Sequence, residues 1–159
     1  MRRTRELLKQ GARAPKFRLD LLDGGEASLS DLAANGPVLL AFFKISCPVC
    51  QLTLPFLDRI HGDRLRVYAI SQNDVEDTRE FNRYYRLSLP TLLDREEEDF
   101  PVSYAFGISS VPTMFLIERD GTVSRVIEGW QKAEIEKLGE LAGVQAIGAA
   151  DRVPQWRAG

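Results

Sequence analysis

Val38-Leu39-Leu40-Ala41-Phe42-Phe43 is an unbroken apolar run, and shortly after it come the chain's only two cysteines, in Cys47-Pro48-Val49-Cys50. Successive side chains of a strand point to opposite faces, so a strand apolar at every position needs cover on both sides. That requirement makes the run a central strand between two layers, as in a buried parallel sheet. An amphipathic stretch begins at Pro48, the second residue of the cysteine motif. It places Cys50, Leu54, Leu57 and Ile60 on one helical face and turns Asp58 and Arg59 elsewhere. Pro48 suits the first helical turn, where a missing N–H costs nothing, and Pro55 inside the helix should kink it. A strand that turns into a helix at C-x-x-C sets the first cysteine among unpaired N–H groups at a helix N-terminus. There the helix dipole favours a thiolate.

The remaining pattern is that of an α/β chain. Residues 1–12 read as a polar, helical lead-in. Phe17–Leu21 alternates as a half-buried strand and ends in the turn Asp23-Gly24-Gly25. Ser28–Leu32 resembles a short helix start, closed by Asn35-Gly36-Pro37. After the cysteine helix, Leu65–Ser71 is a strand and Val75–Arg86 a helix that packs through Phe81, Tyr84 and Tyr85. Thr91–Leu93 reads as a short strand. Glu96–Asp99 reads as a solvated loop charging the N-terminus of a helix over Phe100–Phe106. Thr113–Glu118 and Thr122–Glu128, joined by Arg119-Asp120-Gly121, form the clearest hairpin. Gln131–Leu141 is a last amphipathic helix using Ile135, Leu138 and Leu141. A βαβ crossover followed by a hairpin and a helix implies a sandwich around a mixed sheet.

At 159 residues the chain fits one domain, taken as residues 1–145, with a tail over 146–159 that carries Pro154 and Trp156. The pattern does not decide whether that tail packs or frays. Formal net charge is -2 and no basic patch with interleaved aromatics occurs, which disfavours nucleic acid as a partner. No segment has the roughly 20 apolar residues of a membrane span, and the basic Met1–Glu6 start is not followed by the apolar stretch of a secretory signal. The expected address is the cytoplasm, or the periplasm if a leader has been removed. Two cysteines are not a disulfide framework, and a staple across so short a loop would remove little chain entropy. With one histidine and no second cysteine pair, no metal site is expected. His61, just before Gly62, reads as a cationic partner of a helix C-terminus rather than a ligand.

Several motifs in order resemble the thioredoxin-like superfamily, in its redoxin branch. That branch spans thiol-disulfide oxidoreductases related to cytochrome maturation and the alkyl hydroperoxide reductase/thiol-specific antioxidant group. They are Gly11–Leu19 at the entry, Asp23-Gly24 with Ser28–Leu32, the Cys47–Cys50 motif, Pro55 five residues beyond it, and Gly107–Thr113 leading into Met114–Gly121. The resemblance covers roughly residues 11–142. It implies a thioredoxin-like three-layer α/β sandwich with a central mixed sheet, and a cis Val111–Pro112 bond facing the dithiol. It implies that Cys47 attacks a disulfide and Cys50, more buried, resolves the mixed disulfide. Pro48, Val49, Val111 and Pro112 would shape the substrate groove, with the Val111 backbone free to pair with an extended peptide. No cofactor is called for beyond the redox-active cysteines.

Lys44, three residues before Cys47, is near enough to act on its thiol, although a lysine ending a strand more often simply faces solvent. Many relatives carry a buried acid that relays a proton to the resolving cysteine, at positions that here hold Ala41 and Thr53. That leaves water, or Glu118 from the neighbouring strand region, to take the proton. The main reading is a thiol-disulfide oxidoreductase, acting as a reductase on a disulfide-containing protein or a small thiol compound. A thioredoxin-reductase-type system would supply its electrons. A peroxiredoxin-like peroxidase is the first alternative. Its Pro-x-x-x-Thr-x-x-Cys pattern fails in both frames, which put Phe43 and Cys47, or Leu40 and Lys44, at the Pro and Thr positions. A non-catalytic binding or redox-sensing module, with Tyr84, Tyr85, Trp130 and Trp156 as an adhesive surface, is the second.

Overall fold

A computed structural model of the chain describes residues 6–159. The apolar run forms β3 (Val38–Phe43), and all six of its residues are buried. It pairs in parallel with β4 (Arg66–Ser71) and antiparallel with β6 (Thr113–Ile117), so it lies inside the sheet with a neighbour on each edge. Beyond them lie β5 (Thr91–Leu93), β1 (Arg18–Leu21) and β2 (Glu26–Ser28) on one side and β7 (Val123–Glu128) on the other. The seven strands run in the order β2-β1-β5-β4-β3-β6-β7.

Alternation along β3 divides the core in two. Leu39, Ala41 and Phe43 pack with α2 (Pro48–Ile60), with Phe81 of α3 (Val75–Tyr84) and with α5 (Lys132–Ala142). Val38, Leu40 and Phe42 face the other way, onto α1 (Leu29–Leu32) and α4 (Pro101–Ala105). On that second face Phe42, Phe106 and Phe115 form a ring cluster with centroids 5.0–5.9 Å apart. The result is the expected three-layer α/β sandwich with a mixed sheet.

Several local expectations are corrected. Residues 6–12 are extended and turning rather than helical; Leu8 donates its N–H to the Phe106 carbonyl, and Leu7 and Leu8 pack on the second core. The rest of the helical lead-in, residues 1–5, lies outside the described residues. Tyr84 is 78% exposed, stacked edge-on against Tyr85 instead of packing inward, because Phe81 and Tyr85 at i and i+4 already cover the core. Leu141 is likewise exposed, since Ile135, Leu138 and Ala142 hold the inner face of α5. The exposed acidic run Glu96–Asp99 does not cap α4. The wholly buried Asp94 does, accepting from Val102 N at 3.1 Å and Ser103 N at 2.7 Å. Trp130 belongs to the core, not to a surface, and its Nε1–H donates to the Pro154 carbonyl at 2.7 Å.

That last bond belongs to a docked tail. Ile147 and Val153 pack against the first core, Arg59 pairs with Asp151 at 2.8 Å, and Lys132 N donates to Gln155 O. A short strand β8 (Trp130–Gln131) then pairs antiparallel with β9 (Trp156–Arg157).

Candidate active site

The site stands at the C-terminal ends of the parallel strands β3 and β4, where loops of an α/β sheet converge. β3 ends at Phe43, residues 44–46 turn the chain, and α2 starts at Pro48 with Cys47 as its N-cap. The half-buried Cys47 Sγ accepts the Cys50 N–H at 3.1 Å. This is an N-cap interaction made by sulfur, and it places the sulfur among the unpaired N–H groups that begin the helix. Pro48 occupies the first helical position and is exposed; Val49 is half-buried against the core. Cys50, one turn in, is wholly buried.

Across the groove, Thr113 opens β6 beside Phe42, which carries the preceding loop up to the dithiol. The Val111–Pro112 bond is cis, and the Val111 carbonyl accepts the Cys47 thiol proton at 3.4 Å. Thr113 Oγ1 donates to Ser110 O at 2.8 Å and Gly129 N donates to Pro112 O at 2.8 Å, fixing that loop at both ends. The structure therefore brings Cys47, Cys50, Pro48, Val49, Val111 and Pro112 together.

The two residues considered as tuners of the thiols separate. Lys44 lies at the site, exposed, with its carbonyl accepting the Cys47 N–H at 3.3 Å. Glu118 does not. The pairing of β3 with β6 sets Phe42 opposite Thr113 and Val38 opposite Ile117, so Glu118 falls at the other end of β3. It is roughly 16 Å along the strand from Thr113 at about 3.3 Å per residue, too far to take a proton from Cys50.

Burial pushes the Cys50 thiol well above the ordinary cysteine range. The hydrogen bond and the charge it shares with Cys47 add to that rise, while Lys44 opposes it. Ala41 and Thr53, where the resemblance leads one to expect an acid, are both buried, and Thr53 Oγ1 is committed to the Val49 carbonyl at 2.7 Å.

Sequence reasoning missed two positioning residues. Asn73 Oδ1 accepts the Ile45 N–H at 3.0 Å, and Gln51 Nε2 donates to the Ile45 carbonyl at 2.9 Å, so both backbone groups of Ile45 are held. Asn73 N is in turn bound by Ser71 Oγ, which pairs with Thr78 Oγ1 at 2.7 Å inside the protein. A legible signal was the polar string Ser71-Gln72-Asn73-Asp74 directly after an apolar strand. Beside the dithiol, Lys44, Gln72, Ser109, Ser110 and Val111 line an open cleft of about 380 Å³.

The chain is 30% identical over 148 residues to a thiol-disulfide oxidoreductase, ResA, of Halalkalibacterium halodurans, covering 89% of this chain and 82% of that one. Among solved structures, the thioredoxin domain of a thiol-disulfide oxidoreductase from Bacteroides vulgatus superposes with a TM-score of 0.74. The two are 20% identical, over 84% of this chain and 96% of that one. The peroxidoxin BcpB of Mycobacterium tuberculosis shares the fold with a TM-score of 0.70 at 23% identity, over 86% of this chain and 97% of that one. A family match runs from residue 10 to residue 126, across the dithiol and the Val111–Pro112 loop, and on it the chain belongs to the AhpC/TSA family.

Proposed function

We propose that the protein is a thiol-disulfide oxidoreductase working through Cys47 and Cys50, and that it acts as a reductase in the cytoplasm. The observation that carries the oxidoreductase reading is the asymmetry of the two thiols. One is accessible and held by a helix N-terminal N–H; the other is buried one turn behind it.

The Cys47 thiolate attacks one sulfur of a substrate disulfide, forming a mixed disulfide and releasing the other sulfur as a thiolate that takes up a proton. Cys50 then attacks the Cys47 sulfur, expels the second substrate thiolate and leaves Cys47–Cys50 oxidised. Two electrons and two protons pass to the substrate. Two of the influences that hold Cys50 protonated come from Cys47 itself. Both weaken once the Cys47 sulfur is in a neutral mixed disulfide, so the resolving thiol becomes easier to ionise at the step that needs it. Lys44 pulls in the same direction, and it acts on Cys50. In a reducing cytoplasm a thioredoxin-reductase-type donor would return the pair to dithiol.

Cys47→Ser should lower disulfide reduction to the uncatalysed level. Cys50→Ser should accumulate mixed disulfides, visible as a mass increase reversed by reductant. Sustained turnover by Cys50→Ser would overturn the assignment, as would oxidation of the reduced protein far faster by hydrogen peroxide than by a small disulfide.

A further inference from the structure

The Val111 backbone, the edge on which an extended peptide would pair, is not bare. Gly159 lies directly on it. A Cβ built on Gly159 would fall 2.7 Å from the Val111 carbonyl carbon and 3.2 Å from Pro112 N, and closer still to the Val111 carbonyl oxygen. Real side chains do not tolerate such approaches. That oxygen is the one that accepts the Cys47 thiol proton. A second glycine makes room for the same segment from beneath. Gly129, at φ +71°, is so close to the Arg157 carbonyl oxygen that any side chain would collide with it, and Gly159 N would be 3.2 Å from its Cβ.

The segment is tethered upstream by the Trp130–Arg157 and Gln131–Trp156 pairing, by the Gln155 and Pro154 carbonyls, and by Asp151 on Arg59. It is also superficial: residues 155–159 are exposed, and Trp156 shows 62% of its surface. A segment held by a few backbone bonds and two glycine contacts, with little apolar burial, belongs to the easily opened part of a fold. With it in place, the cleft lined by Lys44, Gln72, Ser109 and Ser110 stays open.

We infer that residues 156–159 are a strap that sets substrate specificity, covering the Val111 edge against extended polypeptide while leaving Cys47 open to small disulfides from the Lys44 side. The inference rests on the reading of Cys47 as the attacking thiol. A polypeptide disulfide pairs with a sheet edge through its main chain and needs that edge free. A small disulfide needs only a line to the sulfur.

The test uses a Cys50→Ser background, so that a single exchange is followed and turnover is not required. The probes are 5,5′-dithiobis(2-nitrobenzoate) and an extended peptide with one central cysteine activated as its thionitrobenzoate disulfide. In each, the Cys47 thiolate forms a new S–S bond and the released thionitrobenzoate is read by absorbance. Three chains are compared: residues 1–159, residues 1–155, and residues 1–159 carrying Gly159→Leu. The truncation keeps the Gln155 and Pro154 carbonyls on Lys132 and Trp130. The leucine collides with the Val111 carbonyl and so displaces the strap tip, while every residue of the domain stays unchanged.

Both altered chains should react with the activated peptide about tenfold faster than the full chain, the factor for a strap docked about nine-tenths of the time. Their rates with the small reagent should stay within about twofold. A peptide-to-reagent rate ratio unchanged in both altered chains would overturn the strap. Normal single-step exchange with no catalytic turnover in the parent carrying both cysteines would instead sink the oxidoreductase reading and leave the strap standing.

Discussion

His61 shows how a side chain's partner changes its role. At the C-cap of α2 it was expected to be cationic and to answer the helix dipole. Instead its Nδ1 accepts the Val67 N–H at 2.8 Å, which requires the neutral ring. Burial, with help from Arg66, lowers its pKa below the ordinary 6.5. A depressed histidine binds fewer protons folded than unfolded, so its contribution is present above the unfolded pKa and is lost as pH falls through the folded one. Ordinary carboxylates titrate at about 4, and those of Asp31, Asp120, Glu134 and Asp151 are held below their usual range, which leaves the histidine to act above about pH 5.5. Urea midpoints should therefore fall between pH 7.5 and 5.5 for the native chain. They should stay nearly flat for His61→Gln; an equal fall in both would place the effect elsewhere. Burial is the largest influence raising the Cys50 thiol and remains when Cys47 is replaced, so alkylation of Cys47→Ser should be far slower than that of Cys50→Ser at pH 8.

At the scale of elements, short pieces are held by polar groups from their neighbours. α4 has only five residues and no side-chain cap of its own, since Phe100 stands at its N-cap in a left-handed conformation. Asp94, just past the end of β5, reaches across to two of its first N–H groups. Asp94→Ala would leave both buried donors without a partner and should cost about 2–3 kcal/mol. Chemical denaturation reads that loss directly. The variant should also loosen the cleft that Phe100 and Ser103 help to line. By contrast α3 is self-capped: Asp74 accepts from Asp77 N at 2.8 Å, and Asp74→Ala should cost only about 1 kcal/mol.

For the molecule as a whole, the tail is a third layer of restraint on one end of the sandwich. Trp130 is its anchor, buried against Phe56 at a ring separation of 5.1 Å while its N–H holds the Pro154 carbonyl. Trp130→Phe keeps most of the apolar contact and removes that donor. It should release the tail, with limited proteolysis cutting after Arg152 several-fold faster than in the native chain, while global unfolding shifts by about 1 kcal/mol. Equal cleavage rates would show that the indole N–H does not hold the tail. Arg59 and the Gly148 N–H hold the Asp151 carboxyl below its usual range. Its part in tail docking is therefore present above the ordinary aspartate pKa and fades as pH falls through the lowered one.

The order of apolar and polar residues was enough to place β3, α2, β5 and the β6–β7 hairpin. A fully apolar run needs two layers, and C-x-x-C at a strand-to-helix turn needs a helix N-terminus. The same local logic marked Cys47 and Cys50, and resemblance pointed to Val111 and Pro112. What depends on register and on distant partners was beyond it. Glu118 is near the dithiol in no sense a sequence can show, since only the pairing of β3 with β6 fixes which end of the sheet it occupies. Asn73 meets Ile45 across 28 positions, Asp94 and not the more conspicuous acidic run caps α4, and the neutral state of His61 depends on a bond from Val67. The tail is the strongest case. Nothing in Trp156–Gly159 announces a destination, and only the close approach allowed by Gly129 and Gly159 brings it onto Val111. Local patterning is set by residues a few positions apart, whereas such contacts exist only after the chain has folded back on itself.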